Sequence, residues 1–140
     1  MVPPKPTLEE LLVGHPHVAE ALLSKVLRAS AALIAIATRA DGTCVTVNDA
    51  FLARTGWSRD EVIGASLSTL GLCLDPATPA AMLAELEREG PVKGYETALR
   101  TKSGAVLKGF CNLDAVELFG APHVLTAFHD ATEVLAARDA

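Results

Sequence analysis

Residues 41–64 read DGTCVTVNDAFLARTGWSRDEVIG, and the turn and cap signals in this stretch decide the fold class. Asp41-Gly42 supplies the positive φ of a tight hairpin between two β-type runs, Leu33–Ala37 and Thr43–Val47. Asn48 has the side chain of an N-cap for a short helix running to Thr55, and Gly56 suits a left-handed exit from it. Ser58 and Glu61 then stand at capping-box spacing, and Gly64 closes that turn. A hairpin is thus followed by a run of short helices.

Downstream, Ser66–Leu70 fits one further turn. Thr78-Pro79 reads as a helix start, with the Thr78 hydroxyl as cap and proline at the first helical position. Met82, Leu83 and Leu86 give this helix an apolar side, Glu85 and Arg88 a wet one, and Gly90-Pro91 ends it. Strand-like runs follow at Lys93–Thr101 and Ala105–Glu117, flanking Ser103-Gly104, and at Pro122–Asp130 after Gly120. Helix formers return over Ala131–Ala140 without a stop signal. Upstream, residues 1–6 hold three of the eight prolines and read as a loose tail. From Thr7, a plausible cap, the pattern is helical to Arg28, with a break at His15-Pro16. Two groups of hairpin strands with helices between them give an antiparallel α+β domain with helices packed on one face.

Val18, Leu22, Leu23, Val26 and Leu27 form an apolar strip on the amino-terminal helix, too wide for a solvated helix. It needs cover, either from the domain's own sheet or from a second copy. The helix formers after Ala131 favour the copy, so a homodimer is expected.

The 140 residues make one ordinary domain. Half are apolar, but 24 alanines and 20 leucines against six aromatic residues build a core from small and medium side chains. With 12 basic and 17 acidic residues the net charge is −5, which argues against a nucleic-acid groove. Cysteines 44, 73 and 111 are odd in number and lack CxxC spacing, which suits a reduced, cytoplasmic setting. No basic-then-apolar leader opens the sequence, and no uncharged stretch reaches bilayer length, so no direct membrane contact is expected.

Catalytic signals are weak. No GxSxG, P-loop or GxGxxG occurs, nor a phosphoacceptor-histidine or kinase ATP motif. His129-Asp130 suggests a triad, but strand neighbours point to opposite faces. His123 and His129 share a face ~20 Å apart. With His15 and His17 in the amino-terminal segment, each histidine reads as a lone surface residue. No His/Cys cluster has metal-ligand spacing.

The joints of this element order resemble those of PAS domains. The matching stretches are Asp41-Gly42 with Val47-Asn48-Asp49-Ala50-Phe51, then Thr55-Gly56-Trp57-Ser58-Arg59-Asp60-Glu61-Val62-Ile63-Gly64. Leu99-Arg100-Thr101-Lys102-Ser103-Gly104 and Asp130-Ala131-Thr132-Glu133 complete the set, so the resemblance covers about residues 25–134. It implies a five-stranded antiparallel sheet cupping a small cavity under short helices, with signal leaving through flanking helices. The organisation is then a tail and flanking helix at 1–28, a core at 29–132, and the start of a linker helix at 133–140. It further implies a sensory or coupling module in a larger bacterial signalling protein, a histidine kinase first, or a cyclic-nucleotide enzyme or transcription regulator. An effector domain downstream in the same chain would carry the output, and the module itself would be non-catalytic.

The resemblance also implies roles for single residues. Glu61 and Lys102 match a salt-bridge pair, and Asp130 and Thr132 match the closing Asp-x-Thr that is both helix cap and signalling hinge. Ala131 stands where the family more often has Ile or Val. The photoactive flavin branch carries its adduct cysteine where Leu67 stands, and a flavin-reading glutamine where Phe128 stands. Haem-binding members often draw a histidine from the helix here spanning Thr78–Glu89, which has none. Neither flavin nor haem is therefore expected. By alternation Leu107, Cys111 and Leu113 face the cavity with Val124, Thr126 and Phe128. Gly109 and Ala115 share that dry face, Lys108, Asn112 and Asp114 the wet one, with Phe110 its exception. Leu125, Ala127 and His129 lie outside. The inner set either fills a packed core or lines a site for an apolar small molecule.

Overall fold

The computed structural model describes Val2, Pro4, Lys5 and residues 16–139, with the side chains at 16, 18–20 and 23 left out. The chain divides into two compact units, Met1–Ser30 and Ala31–Ala140. In the first, helix α1 spans Pro16–Ala29. Proline suits the first helical turn because it has no N–H to leave unpaired. Arg28 sits in the last turn, where the helix dipole favours a cation. Val26 is exposed and Leu22 half-buried. Thr7, His15 and the side chains of Val18 and Leu23 lie outside the described residues.

The second unit runs β1 (Leu33–Thr38), β2 (Cys44–Val47), α2 (Asp49–Thr55), α3 (Arg59–Val62), α4 (Thr78–Glu89), β3 (Val92–Arg100), β4 (Val106–Leu118), β5 (Ala121–Asp130) and α5 (Thr132–Asp139). The five strands form one sheet in the order β2-β1-β5-β4-β3, every neighbouring pair antiparallel. The last strand therefore lies beside the first, with Leu33 opposite Phe128 and Thr38 opposite His123. Phe51, Val62, Met82 and Leu86 from α2–α4 share one core cluster with Leu33, Ala35, Leu113 and Phe128 of the sheet. The fold is α+β, with these helices on one face. Helix α5 turns to the other: Arg138 makes a bidentate pair with Glu96 at 2.9 and 3.0 Å, on the opposite parity of β3 from the inward Thr97.

Asn48 fixes the passage from sheet to helices. Its Oδ1 accepts from Phe51 N and from Ile34 N, both at 3.0 Å, and its Nδ2 donates to the Ala32 carbonyl at 2.8 Å. One buried amide thus caps α2 and ties it to the approach of β1. Gly56 leaves the helix at φ 80, and Ser58 and Glu61 form a complete capping box.

Two local expectations need correction. The β1–β2 connection is longer than a tight Asp-Gly turn, because only Gly42 takes a positive φ there. Asp41 instead holds the loop by accepting from the Thr38 hydroxyl and from Thr43 N. The Thr78 hydroxyl does not cap α4 either. Thr78 is buried inside the first turn, which has no side-chain cap; Asp75 Oδ1 accepts from Ala77 N at 2.9 Å just before it. No helix among the described residues is long and apolar enough to cross a membrane.

Candidate functional site

Between the inner sheet face and the helices lies a cavity of about 430 Å³. Alternation along β4 and β5 brings Cys111, Leu113, Val124, Thr126 and Phe128 to its wall. Leu107 does not reach it, contrary to the sequence expectation. It is buried, but pairing of β4 with β5 begins only at Gly109, so Leu107 lies beyond that part of the floor. Ala115 is exposed for a related reason, since the β4–β5 ribbon runs on to a fully exposed tip at Phe119. The rest of the wall was not legible from strand periodicity. Phe51 comes from α2, Met82 and Leu83 from α4, and Leu72 and Cys73 from the connection before α4.

Polar groups gather toward one end. Thr38, Arg39 and Asp41 of the β1–β2 loop line the cavity there, with Ser66 and Ser68 across from them. The two cysteines in the wall are not nucleophiles. Burial pushes the Cys111 thiol up to about 12, with Cys73 adding to the effect, and burial likewise raises Cys73. Both stay protonated at neutral pH and act as small apolar surface.

Beside the cavity is the junction where β5 passes into α5. Asp130 Oδ1 accepts from the backbone N–H of Thr132 at 3.0 Å and from its hydroxyl. Thr132 Oγ1 in turn accepts from Lys108 N at 3.0 Å, and Ala131 N donates to the Lys108 carbonyl at 2.8 Å. The exit helix is thereby pinned to β4. The other Asp130 oxygen is paired with Arg54, a partner that nothing in the sequence marked. Burial pushes the Asp130 carboxyl up, but the Thr132 hydrogen bonds and the Arg54 guanidinium outweigh it and hold it below the ordinary 3.8. Gly109 makes this close approach possible. A Cβ there would lie 2.0 Å from the His129 carbonyl oxygen and 2.9 Å from the Phe128 ring.

A second clasp joins α3 to the β3–β4 turn. Lys102 Nζ lies 2.9 and 2.8 Å from the two Glu61 oxygens and 5.4 Å from the centroid of the Trp57 ring. Lys102 N also donates to the Thr55 carbonyl at 2.7 Å. The Lys102 ammonium, then the Ser58 cap, hold the Glu61 carboxyl below its usual range.

His129 is exposed on the outer face. His123 is not the surface residue expected: it is buried, with Nδ1 2.8 Å from the Ala121 carbonyl, because the ring folds back on its own strand. No group of three His, Cys, Asp or Glu among the described residues could hold a metal ion. Leu67 and Phe128 both line the cavity, and no histidine does among the described residues.

Comparison with known proteins bears on this geometry. No curated protein matches the chain. Among solved structures, the PAS domain of an HTR-like protein from Haloarcula marismortui is 22% identical, covers 84% of this chain and 96% of that one, and superposes with a TM-score of 0.68. A domain of a sensory box sensor histidine kinase/response regulator from Geobacter sulfurreducens is 21% identical, with 83% and 97% covered and a TM-score of 0.66. An RNA-binding Light-Oxygen-Voltage receptor is 20% identical over 96% of this chain and 38% of its own, with a TM-score of 0.71. At these identities the likeness is one of fold. The family profile described as PAS domain matches residues 31–133, most of the chain. With that match and the five-stranded sheet, the chain belongs to the PAS domain family of sensory modules.

Proposed function

We propose that this PAS domain senses an apolar small molecule, and that occupancy of its cavity is relayed to the exit helix α5. One observation carries the reading. Phe51 lines the cavity, and Arg54, three residues on and on the same face of α2, pairs with Asp130 at the root of α5. A ligand that displaces the Phe51 ring has a single short helix through which to shift the junction. The wall accepts such a ligand: it is mostly aliphatic and aromatic, its thiols are protonated, and its volume falls within the range of small-molecule sites. We assign no haem or flavin to it, since Leu67 and Phe128 occupy the positions whose thiol and amide the flavin branch uses.

In the larger protein the output is a histidine kinase, a reading supported by the likeness to the Geobacter sulfurreducens kinase domain. The apolar strip of α1, with Val26 55% exposed, supports a homodimer. The sensing claim is tested by native mass spectrometry of protein purified without denaturant, then again after solvent extraction. Extra mass lost on extraction, from a colourless preparation, is the expected result. An empty cavity that no apolar probe stabilises against heat would reject sensing and leave a packed coupling domain.

A further inference from the structure

Both charged side chains of the cavity wall, Arg39 and Asp41, belong to the β1–β2 connection, and among the described residues the rest of the wall carries none. We infer that the cavity's ligand is an amphipathic carboxylate, with an alkyl tail among Phe51, Met82, Leu113 and Phe128 and its headgroup on Arg39. The inference rests on the sensing role proposed above and names the ligand class for that site.

Arg39 is the one cation among the described residues that line the cavity. Its position is set by the backbone, since Arg39 N donates to the Pro122 carbonyl at 3.1 Å. Its guanidinium is barely committed. The nearest carboxylate is Glu87, 3.8 Å away and more than half exposed, too distant for a hydrogen bond. A guanidinium carries five donors in a planar fork that matches a carboxylate. Asp41, the acid at the same end, is already engaged: its Oδ1 accepts from Thr38 and Thr43, and the Thr38 hydrogen bond leads in keeping its carboxyl below the ordinary range. Arg39 is thus the charged side chain of the wall whose head makes no hydrogen bond among the described residues, only a loose ion pair with Glu87, and its donors suit an anion.

Size sets the tail. A volume of about 430 Å³ lies within the range of small-molecule sites and admits a medium-chain acid. The uncharged polar groups in the wall, Thr38, Ser66, Ser68, Thr97 and Thr126, are hydroxyls that tolerate a methylene chain passing beside them.

Calorimetric titration with decanoate, decan-1-ol and decylamine tests this on the wild type, Arg39→Gln and Cys111→Leu, each checked for folding by its thermal melt. Decanoate should bind the wild type about tenfold or more tightly than decan-1-ol. Arg39→Gln should bring decanoate down to the alcohol's affinity and leave the alcohol unchanged. Cys111→Leu, or Thr126→Leu should the first variant melt early, should lose all three probes. Equal affinity for acid and alcohol, or preference for the amine, would overturn the carboxylate inference while the sensing role stands. Binding that survives cavity filling would overturn it too, because the acid would then sit elsewhere. If none of the three probes binds the wild type, both the inference and the alkyl-sensing role fall.

Discussion

Two of the ion pairs that tie helices to the sheet in the second unit, Glu61–Lys102 and Arg54–Asp130, have similar chemistry and different meaning. Glu61–Lys102 is closed on itself. Its acid belongs to the capping box of α3, its base rests near Trp57, and neither side chain lines the cavity. Arg54–Asp130 is open at both ends, because Arg54 shares α2 with the cavity-lining Phe51 and Asp130 holds the first turn of α5. Exposed pairs contribute at most about 1 kcal/mol each, so strength does not separate the two. What separates them is what each one pins. Losing the first loosens a turn; on the proposed relay, losing the second disconnects a cavity from an exit helix.

The most damaging way to break the relay is to move its backbone. Gly109→Ala forces the end of β5 away from β4, and we expect a loss of about 3 kcal/mol in urea unfolding together with faster amide exchange in α5. Asn48→Ala should come next. It removes the cap of α2 and takes away the Asn48 amide that bonds Ile34 N and the Ala32 carbonyl, for about 2 kcal/mol.

Arg54→Gln should cost only about 1 kcal/mol at neutral pH, yet exchange in α5 should rise markedly. This difference from wild type has a pH signature. The Asp130 carboxyl is depressed in the folded state, so its contribution is whole above the ordinary 3.8 and is lost as pH falls through the depressed value. Unfolding midpoints of wild type and variant should therefore converge as the pH falls below the ordinary 3.8 and through the depressed value. Smallest of all is the clasp. A double-mutant cycle on Glu61 and Lys102 should give only a small coupling energy and leave α5 exchange untouched. An effect on α5 equal to that of Arg54→Gln would erase the distinction drawn here.

Local chemistry made much of this molecule legible in its sequence. Caps and turns at Asn48, Gly56 and Ser58–Glu61 depend on neighbours a few residues away, and alternation places Cys111, Leu113, Val124, Thr126 and Phe128 in the wall, though not Leu107 or Ala115. Long-range partners left no such trace. Arg54 lies 76 residues from Asp130, and on α2 it looks like any solvated arginine. Phe51, Met82 and Leu83 read as ordinary apolar helix faces, because periodicity marks the buried side without saying whether core or cavity lies beneath. The Thr78 and Asp41 details failed for another reason. Thr78 is buried one position inside the helix it was expected to cap, and Asp41 closes a longer loop through its side chain, neither of which residue type alone reveals.

The central claim is that cavity and exit helix communicate through Arg54. It is tested most directly by hydrogen exchange of residues 132–139 with the cavity empty or filled by Cys111→Leu, each in the Arg54 and Arg54→Gln backgrounds. The account predicts that filling changes α5 exchange several-fold when Arg54 is present and leaves it unchanged when Arg54 is replaced. The same response to filling in both backgrounds would contradict it.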